Sequence, residues 1–327
     1  MFSIEVLQEK VNAEILSRVS ALTEKNPKEL YAPVKYSLGM GGKRLRPVML
    51  LLAYNLFSEE IDNALSAAVA IEVFHNFTLL HDDIMDDAKV RRNRPTVHME
   101  FSENNAVLSG DVMAFLSYRY LMECKSKRLF EVAALFTETA VEVCEGQQYD
   151  MDFENRFDVT ADEYLGMIRL KTAVLLACGL KGGALLADAD DDAANRLYEF
   201  GLNLGMAFQL QDDLLDTFGN QQTFGKKIGG DILSNKKTFL LIKALELASG
   251  EELQKLKYWL TAREFNEEDK IKGVTKIFLQ TGIKEITEEK IDFYFRRSAE
   301  LLKRIPVEES KKNQLKALGQ LMLKRNH

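Results

Sequence analysis

The chain has 327 residues, a formal net charge of -7, 5 prolines, 19 glycines and 3 cysteines. That length is ample for a well-buried core, and abundant Ala, Leu, Glu and Lys favour helix nearly throughout. The mild acidity speaks against a nucleic-acid partner. The expectation is an all-α fold in a single domain over residues 1–327.

Ile4, Leu7, Val11, Ile15, Val19 and Leu22 recur at steps of three and four, which predicts a helix with one apolar face over 4–22. Glu5 and Glu9 make this segment unlike the basic start of a signal peptide. Asn26-Pro27 breaks it, and a second helix runs through Leu30, Val34 and Leu38 to the turn at Gly39, Gly41 and Gly42. Past Pro47, VMLLLAYNLF is apolar on every side and belongs at the centre of a bundle. Residues 64–75 continue without a breaker into Asp82-Asp83-Ile84-Met85-Asp86, near the end of that helix, and Arg91, Arg92, Arg94 and Pro95 follow as a basic loop.

Two further helices are expected over 106–149, broken around Lys125-Ser126-Lys127, and another over 162–187, with Gly179, Gly182 and Gly183 at its looser end. Asp188 to Asp192 reads as a solvated acidic turn. The stretch from Leu197 to Leu215 is helical and runs into a second aspartate cluster, Asp212-Asp213-Leu214-Leu215-Asp216. Residues 219–238 are irregular and rich in Gly and Lys; from Phe239 helices resume, and 250–327 reads as exposed helical hairpins without chemistry. No apolar run appears long enough to span a bilayer. Cys124, Cys144 and Cys178 lack metal-type spacing and are expected as buried free thiols, which suits a reducing cytoplasm.

The paired aspartate clusters carry the first chemical signal. In each, the first and last aspartates lie four residues apart, one helical turn, with Cβ atoms about 5–6 Å apart. Like charges so placed repel, and a hard cation such as Mg²⁺, which bridges carboxylates to phosphate groups, removes the conflict. Cations for a polyanionic ligand are plentiful: Lys43, Arg44 and Arg46 behind Gly41-Gly42, Arg91 and Arg92, Lys171 beside Thr172, and Lys226, Lys227, Lys236 and Lys237. Taken singly, a GGKR turn is a solvated loop and His75 a core histidine; together they supply the parts of a site for two diphosphates.

On these residues the chain resembles the all-trans polyprenyl diphosphate synthases (isoprenyl transferases). The resemblance rests on GGKRLRP at 41–47, HDDIMDDAKVRR at 81–92, GD at 110–111, KT at 171–172, FQLQDDLLD at 208–216 and FGKKIGGDILSNKKT at 224–238. It implies a helical bundle with a central apolar cavity. Asp82, Asp83 and Asp86 would face Asp212, Asp213 and Asp216 across it and hold three Mg²⁺ on the diphosphate of an allylic substrate. Arg91, Lys171, Thr172, Gln209, Lys226 and Lys236 match residues that hold this substrate. Lys43, Arg46, His75 and Arg92 match those that hold isopentenyl diphosphate. Before the Ile-Gly of the loop the family has one lysine and this chain two, Lys226 and Lys227, so the one that contacts phosphate stays open.

The implied reaction is ionisation of the allylic diphosphate, attack by the double bond of isopentenyl diphosphate, and loss of a proton, with pyrophosphate released. Asp82, Asp83, Asp86, Lys171, Thr172, Gln209 and Asp212 would form its catalytic set. Phe77 and Thr78, five and four residues before Asp82, would limit product length, although spacing alone equally makes Phe77 ordinary core. Their pattern resembles a C20 geranylgeranyl diphosphate synthase, with a C15 farnesyl or a longer-chain synthase as alternatives. A class I terpene cyclase would not need Lys43, Arg46, His75 and Arg92, and a non-catalytic subunit typically lacks one aspartate cluster. The family further implies a homodimer, with the apolar helix around 106–122 as interface.

Overall fold

The computed structural model describes residues 1–219 and 228–323. The fold is all-α apart from one two-residue strand pair, as expected. Its residues form two compact units, Met1–Glu138 with Cys178–Tyr198 and Ile305–Leu315, and Thr139–Ala177 with Glu199–Arg304 and the residues from Lys316.

In the first unit, the Ser3 hydroxyl caps α1 (Ile4–Thr23) by accepting from the Val6 amide. All six apolar positions expected on its inner face are buried. α2 (Lys28–Gly39) buries Val34 and Leu38, and α3 (Leu45–Asn55) buries every residue from Pro47 to Asn55. α4 (Leu65–Met85) packs on α1 and α3 and on α6 (Glu103–Leu121). Against the expectation that nothing here is long and apolar enough to cross a bilayer, the stretch Ile61–Met85 qualifies by length and hydropathy. Ala67 to Phe74 are nevertheless buried among the unit's own helices, together with Glu72 and Asn76, which is how a core helix is built.

The basic segment expected as a loop is a hairpin, Val90–Arg91 pairing antiparallel with Arg94–Pro95. Its two turn residues, Arg92 and Asn93, both have positive φ (53° and 61°), the twist a two-residue hairpin needs. A short helix, α5 (Val97–Glu100), follows. α7 (Leu129–Glu154) begins in this unit.

In the second unit, a reciprocal Thr160–Glu163 box caps α8 (Ala161–Ile168). The chain continues through a π turn, Arg169–Ala173, into α9 (Val174–Leu186). Two glycines make room for this turn. A Cβ at Gly146 of α7 would lie 2.3 Å from the Lys171 amide nitrogen. A Cβ at Gly205, on α10 (Asp191–Phe218), would lie 2.6 Å from the Ala173 Cα.

Gly179 and Gly183 do not mark a loose helix end. In the first unit a Cβ at Gly183 would meet the Leu50 carbonyl oxygen at 2.2 Å, so this glycine allows backbone to approach backbone, while one at Gly179 would lie 3.3 Å from the Ile71 side chain. The helices beyond Phe239 are amphipathic rather than exposed hairpins, with Leu256, Val274, Ile277, Phe278, Ile291 and Leu302 buried. Lys270 is buried as well, its ammonium donating to Asn235 Oδ1 (2.8 Å) and the Leu233 carbonyl (3.2 Å). Cys124, Cys144 and Cys178 are all free, but Cys144 is exposed. It lies on the outward side of α7, where apolar composition does not ensure burial.

Candidate active site

The glycine-rich turn shapes one group of candidate residues in the first unit. Gly41 (φ 77°) and Gly42 (φ 135°) take conformations that other residues adopt only under strain, and Arg44 (φ 50°) caps α3 from the left-handed region. Arg44 is therefore not a third ligand cation. It is buried, with Nη1 on Glu72 Oε1 at 2.6 Å, Nε on Asn12 Oδ1 at 3.0 Å and Nη2 on the Leu38 carbonyl at 3.0 Å.

With Arg44 pinned inward, Lys43 is exposed and Arg46 points elsewhere: its Nη1 lies 3.1 Å from His75 Nε2. Arginine only donates, so that ring nitrogen accepts and the proton of the neutral ring sits on Nδ1. Burial, and then Arg46, Arg92, Arg91 and Arg44, push the His75 pKa well down, which keeps the ring neutral. Arg92 reaches back from the hairpin and donates to the Gly41 carbonyl. Its guanidinium lies where a Cβ on Gly42 would be, 2.9 Å from Cζ. Of the four residues matched to isopentenyl diphosphate, Arg46 and His75 thus pair with each other, while Arg92 lies against the glycine turn that carries Lys43.

The first aspartate cluster closes α4. The Asp86 amide donates to the Asp82 carbonyl at 2.9 Å, so the two do lie one turn apart. Asp83 is only 3% exposed and takes Arg91 in a fork, with Nε 2.7 Å from both carboxylate oxygens. Burial raises its pKa, while Arg91 opposes the rise. The Arg91 Nη2 is also 3.5 Å from Asp82. Upstream, Phe77 packs edge-on against Phe74 and His81, with centroids 5.4 and 4.9 Å away, and the Thr78 hydroxyl donates to the His75 carbonyl. Gly110 gains a reason: a Cβ there would lie 2.2 Å from His81 Nε2.

The second unit holds the other group. Thr172 Oγ1 donates to Gln209 Oε1 (3.0 Å), and Gln209 Nε2 donates to Asp213 Oδ1 (3.0 Å). The Tyr164 hydroxyl donates to Asp213 Oδ2. One hydrogen-bond chain therefore joins the π turn, α10 and α8. Burial, and then the charge of Asp231, push the Asp213 carboxyl up to about 8, against the opposing hydrogen bonds of Tyr164 and Gln209. The Asp216 carboxylate accepts from the Asp231 amide at 2.9 Å. Lys171 lies 2.6 Å and Lys236 3.6 Å from one oxygen of Asp150 on α7. Lys226 and Lys227 lie outside the described residues.

The two aspartate clusters share a plan: in each the second aspartate is buried and bound to protein donors, while the first and last are more open. Among the described residues no three His, Cys, Asp or Glu side chains converge as a metal cage. Mg²⁺ does not need one, since it keeps several waters and takes one or two carboxylates together with substrate phosphate. The open aspartates Asp82, Asp86, Asp212 and Asp216 fit that mode as hard oxygen donors. Tyr164 and Asp150 escaped the sequence reading, because each is a single polar residue whose partner is remote in the chain.

Residues 27–278 match the sequence profile of the family described as Polyprenyl synthetase. The geranylgeranyl diphosphate synthase of Saccharolobus solfataricus is 36% identical over 313 residues, covering 94% of each chain. The geranylfarnesyl diphosphate synthase of Natronomonas pharaonis is 42% identical over 242 residues, 68% of this chain and 71% of its own. A crystal structure of a geranylgeranyl pyrophosphate synthase superimposes with a TM-score of 0.94 at 39% identity, over 100% of both chains.

Proposed function

The chain belongs to the polyprenyl synthetase family, and from that premise we propose that it is a short-chain prenyltransferase condensing isopentenyl diphosphate with allylic diphosphates. The observation that carries this reading is the shared plan of the two aspartate clusters, each with its second carboxylate buried on protein donors and its first and last aspartates nearer the surface. Mg²⁺ held by Asp82, Asp86, Asp212 and Asp216, three ions by resemblance, would neutralise the charge that builds on the leaving diphosphate. Asp83 and Asp213 would fix the geometry of these ligands.

Lys171 and Lys236, together with Arg91 and Lys226, would hold the allylic diphosphate by charge. As its C–O bond ionises, the lone pairs of Thr172 and Gln209 would face the cationic carbon, oriented by the chain through Asp213 and Tyr164. Lys43, Arg46, neutral His75 and Arg92 would hold the second diphosphate. The isopentenyl double bond then attacks, a new C–C bond forms, and a proton is lost to restore the alkene.

Geranylgeranyl diphosphate is the product we favour, supported by Phe77 five residues before the first cluster and by the names of the relatives. A longer product is the second reading, because the Natronomonas relative is named for geranylfarnesyl diphosphate. We further place the protein as one domain over 1–327 and as a cytoplasmic homodimer, supported by its free cysteines and by Val107, Leu108 and Phe115 exposed on α6.

Isopentenyl diphosphate, Mg²⁺ and dimethylallyl, geranyl or farnesyl diphosphate, followed for pyrophosphate and prenyl chain length, test the reading. Silence with every primer overturns it, and a C15 or C25 end product revises the length.

A further inference from the structure

We propose that Asp150 is a built-in counter-anion for the diphosphate lysines, competing with bound diphosphate and so speeding the departure of pyrophosphate between condensations. The inference rests on the prenyltransferase reading above. Lys171 comes from the π turn and Lys236 from the segment after the Gly230–Leu233 helix, yet both reach the same Asp150 oxygen, at 2.6 and 3.6 Å. The carboxylate cannot withdraw. One turn before it, Gly146 brings α7 into backbone contact with Lys171, and the Asp150 side chain is only 14% exposed.

Burial raises the Asp150 pKa, but Lys236 and Lys171 more than offset this and leave it below the ordinary range, so the group is charged at neutral pH. A carboxylate oxygen and a phosphate oxygen are the same kind of acceptor for a lysine. Lysine is also a point charge on a flexible stem, able to swing from one acceptor to the other. Two lysines sharing one carboxylate present one net positive charge instead of two. Diphosphate therefore binds by exchange, and as pyrophosphate leaves the lysines return to Asp150 rather than repel each other.

The test compares wild type with Asp150→Asn, measuring Mg-pyrophosphate affinity by calorimetry and product inhibition by steady-state kinetics. We expect Asp150→Asn to bind pyrophosphate about tenfold tighter and to lose kcat through slow release. The KM for isopentenyl diphosphate should stay within about twofold. A merely structural role would instead weaken both ligands together. Circular dichroism shows whether the variant folds. If it does not, Lys236→Gln and Lys236→Gln/Asp150→Asn make the same comparison with the charges balanced, and the double variant should bind pyrophosphate more tightly. Equal or weaker pyrophosphate affinity without Asp150, in an active wild-type background, overturns this inference alone. A wild type silent with every primer overturns the reading beneath it.

Discussion

Arg44 sits in the middle of a basic motif yet faces the interior, where Glu72, Asn12 and the Leu38 carbonyl take up its donors. Removing one member of a buried pair strands the other charge, so Arg44→Met should cost about 3–5 kcal/mol in urea unfolding. Arg44→Met/Glu72→Leu should recover most of that loss. A single variant within about 1 kcal/mol of wild type would show that the pair does not hold the turn. Phe77 is braced edge-on by Phe74 and His81, so its ring is held in place. Phe77→Ala should lengthen the product by at least one isoprene unit, and chromatography of dephosphorylated products identical to wild type would refute this. Lys43, Arg46 and the six aspartates stand out as candidates because each lies inside a contiguous motif. Asp150 and Tyr164 were not, since their importance comes from Lys171, Lys236 and Asp213, which only folding brings near.

Between helices, glycine decides how near the backbones come. Gly146→Ala would place a methyl 2.3 Å from the Lys171 amide nitrogen, with backbone rather than a flexible side chain in the way. We expect about 1–3 kcal/mol of destabilisation and a larger loss in kcat than in KM, because the π turn carries Lys171 and Thr172. Gly166→Ala on α8 has nothing within 4 Å of the added carbon and should be neutral or slightly stabilising. Thermal melts and initial rates on both variants check this contrast. Periodicity revealed α1 with nearly its full span, because one face is apolar and the other polar. It could not reveal the π turn, since the sequence after Lys171-Thr172 is apolar on all faces and an extra residue there leaves no visible break in the pattern. The same blindness made Gly183 look like part of a weak helix end when it is a site of close backbone approach.

For the whole chain, composition alone pointed to the all-α class, and the order of motifs pointed to the family. The division into two compact units was not legible, because α7, α9 and α10 each contribute to both and no linker marks a boundary. The outward side of α6 leaves Leu108 56% and Phe115 76% exposed, an apolar surface unusual for a helix in water. If a second copy covers it, Phe115→Glu should shift the sedimentation-derived mass from two chains to one at micromolar protein. A wild type that sediments as one chain would refute the homodimer directly.

Gly42 and Arg92 occupy the same small volume from opposite directions, one by having no side chain and the other by filling the space left. A substitution at either position disturbs the other. A side chain at 42 evicts the guanidinium, and a short residue at 92 leaves the left-handed turn without its cover. The glycine turn and the hairpin are therefore one mechanical unit, although about fifty residues of chain lie between them.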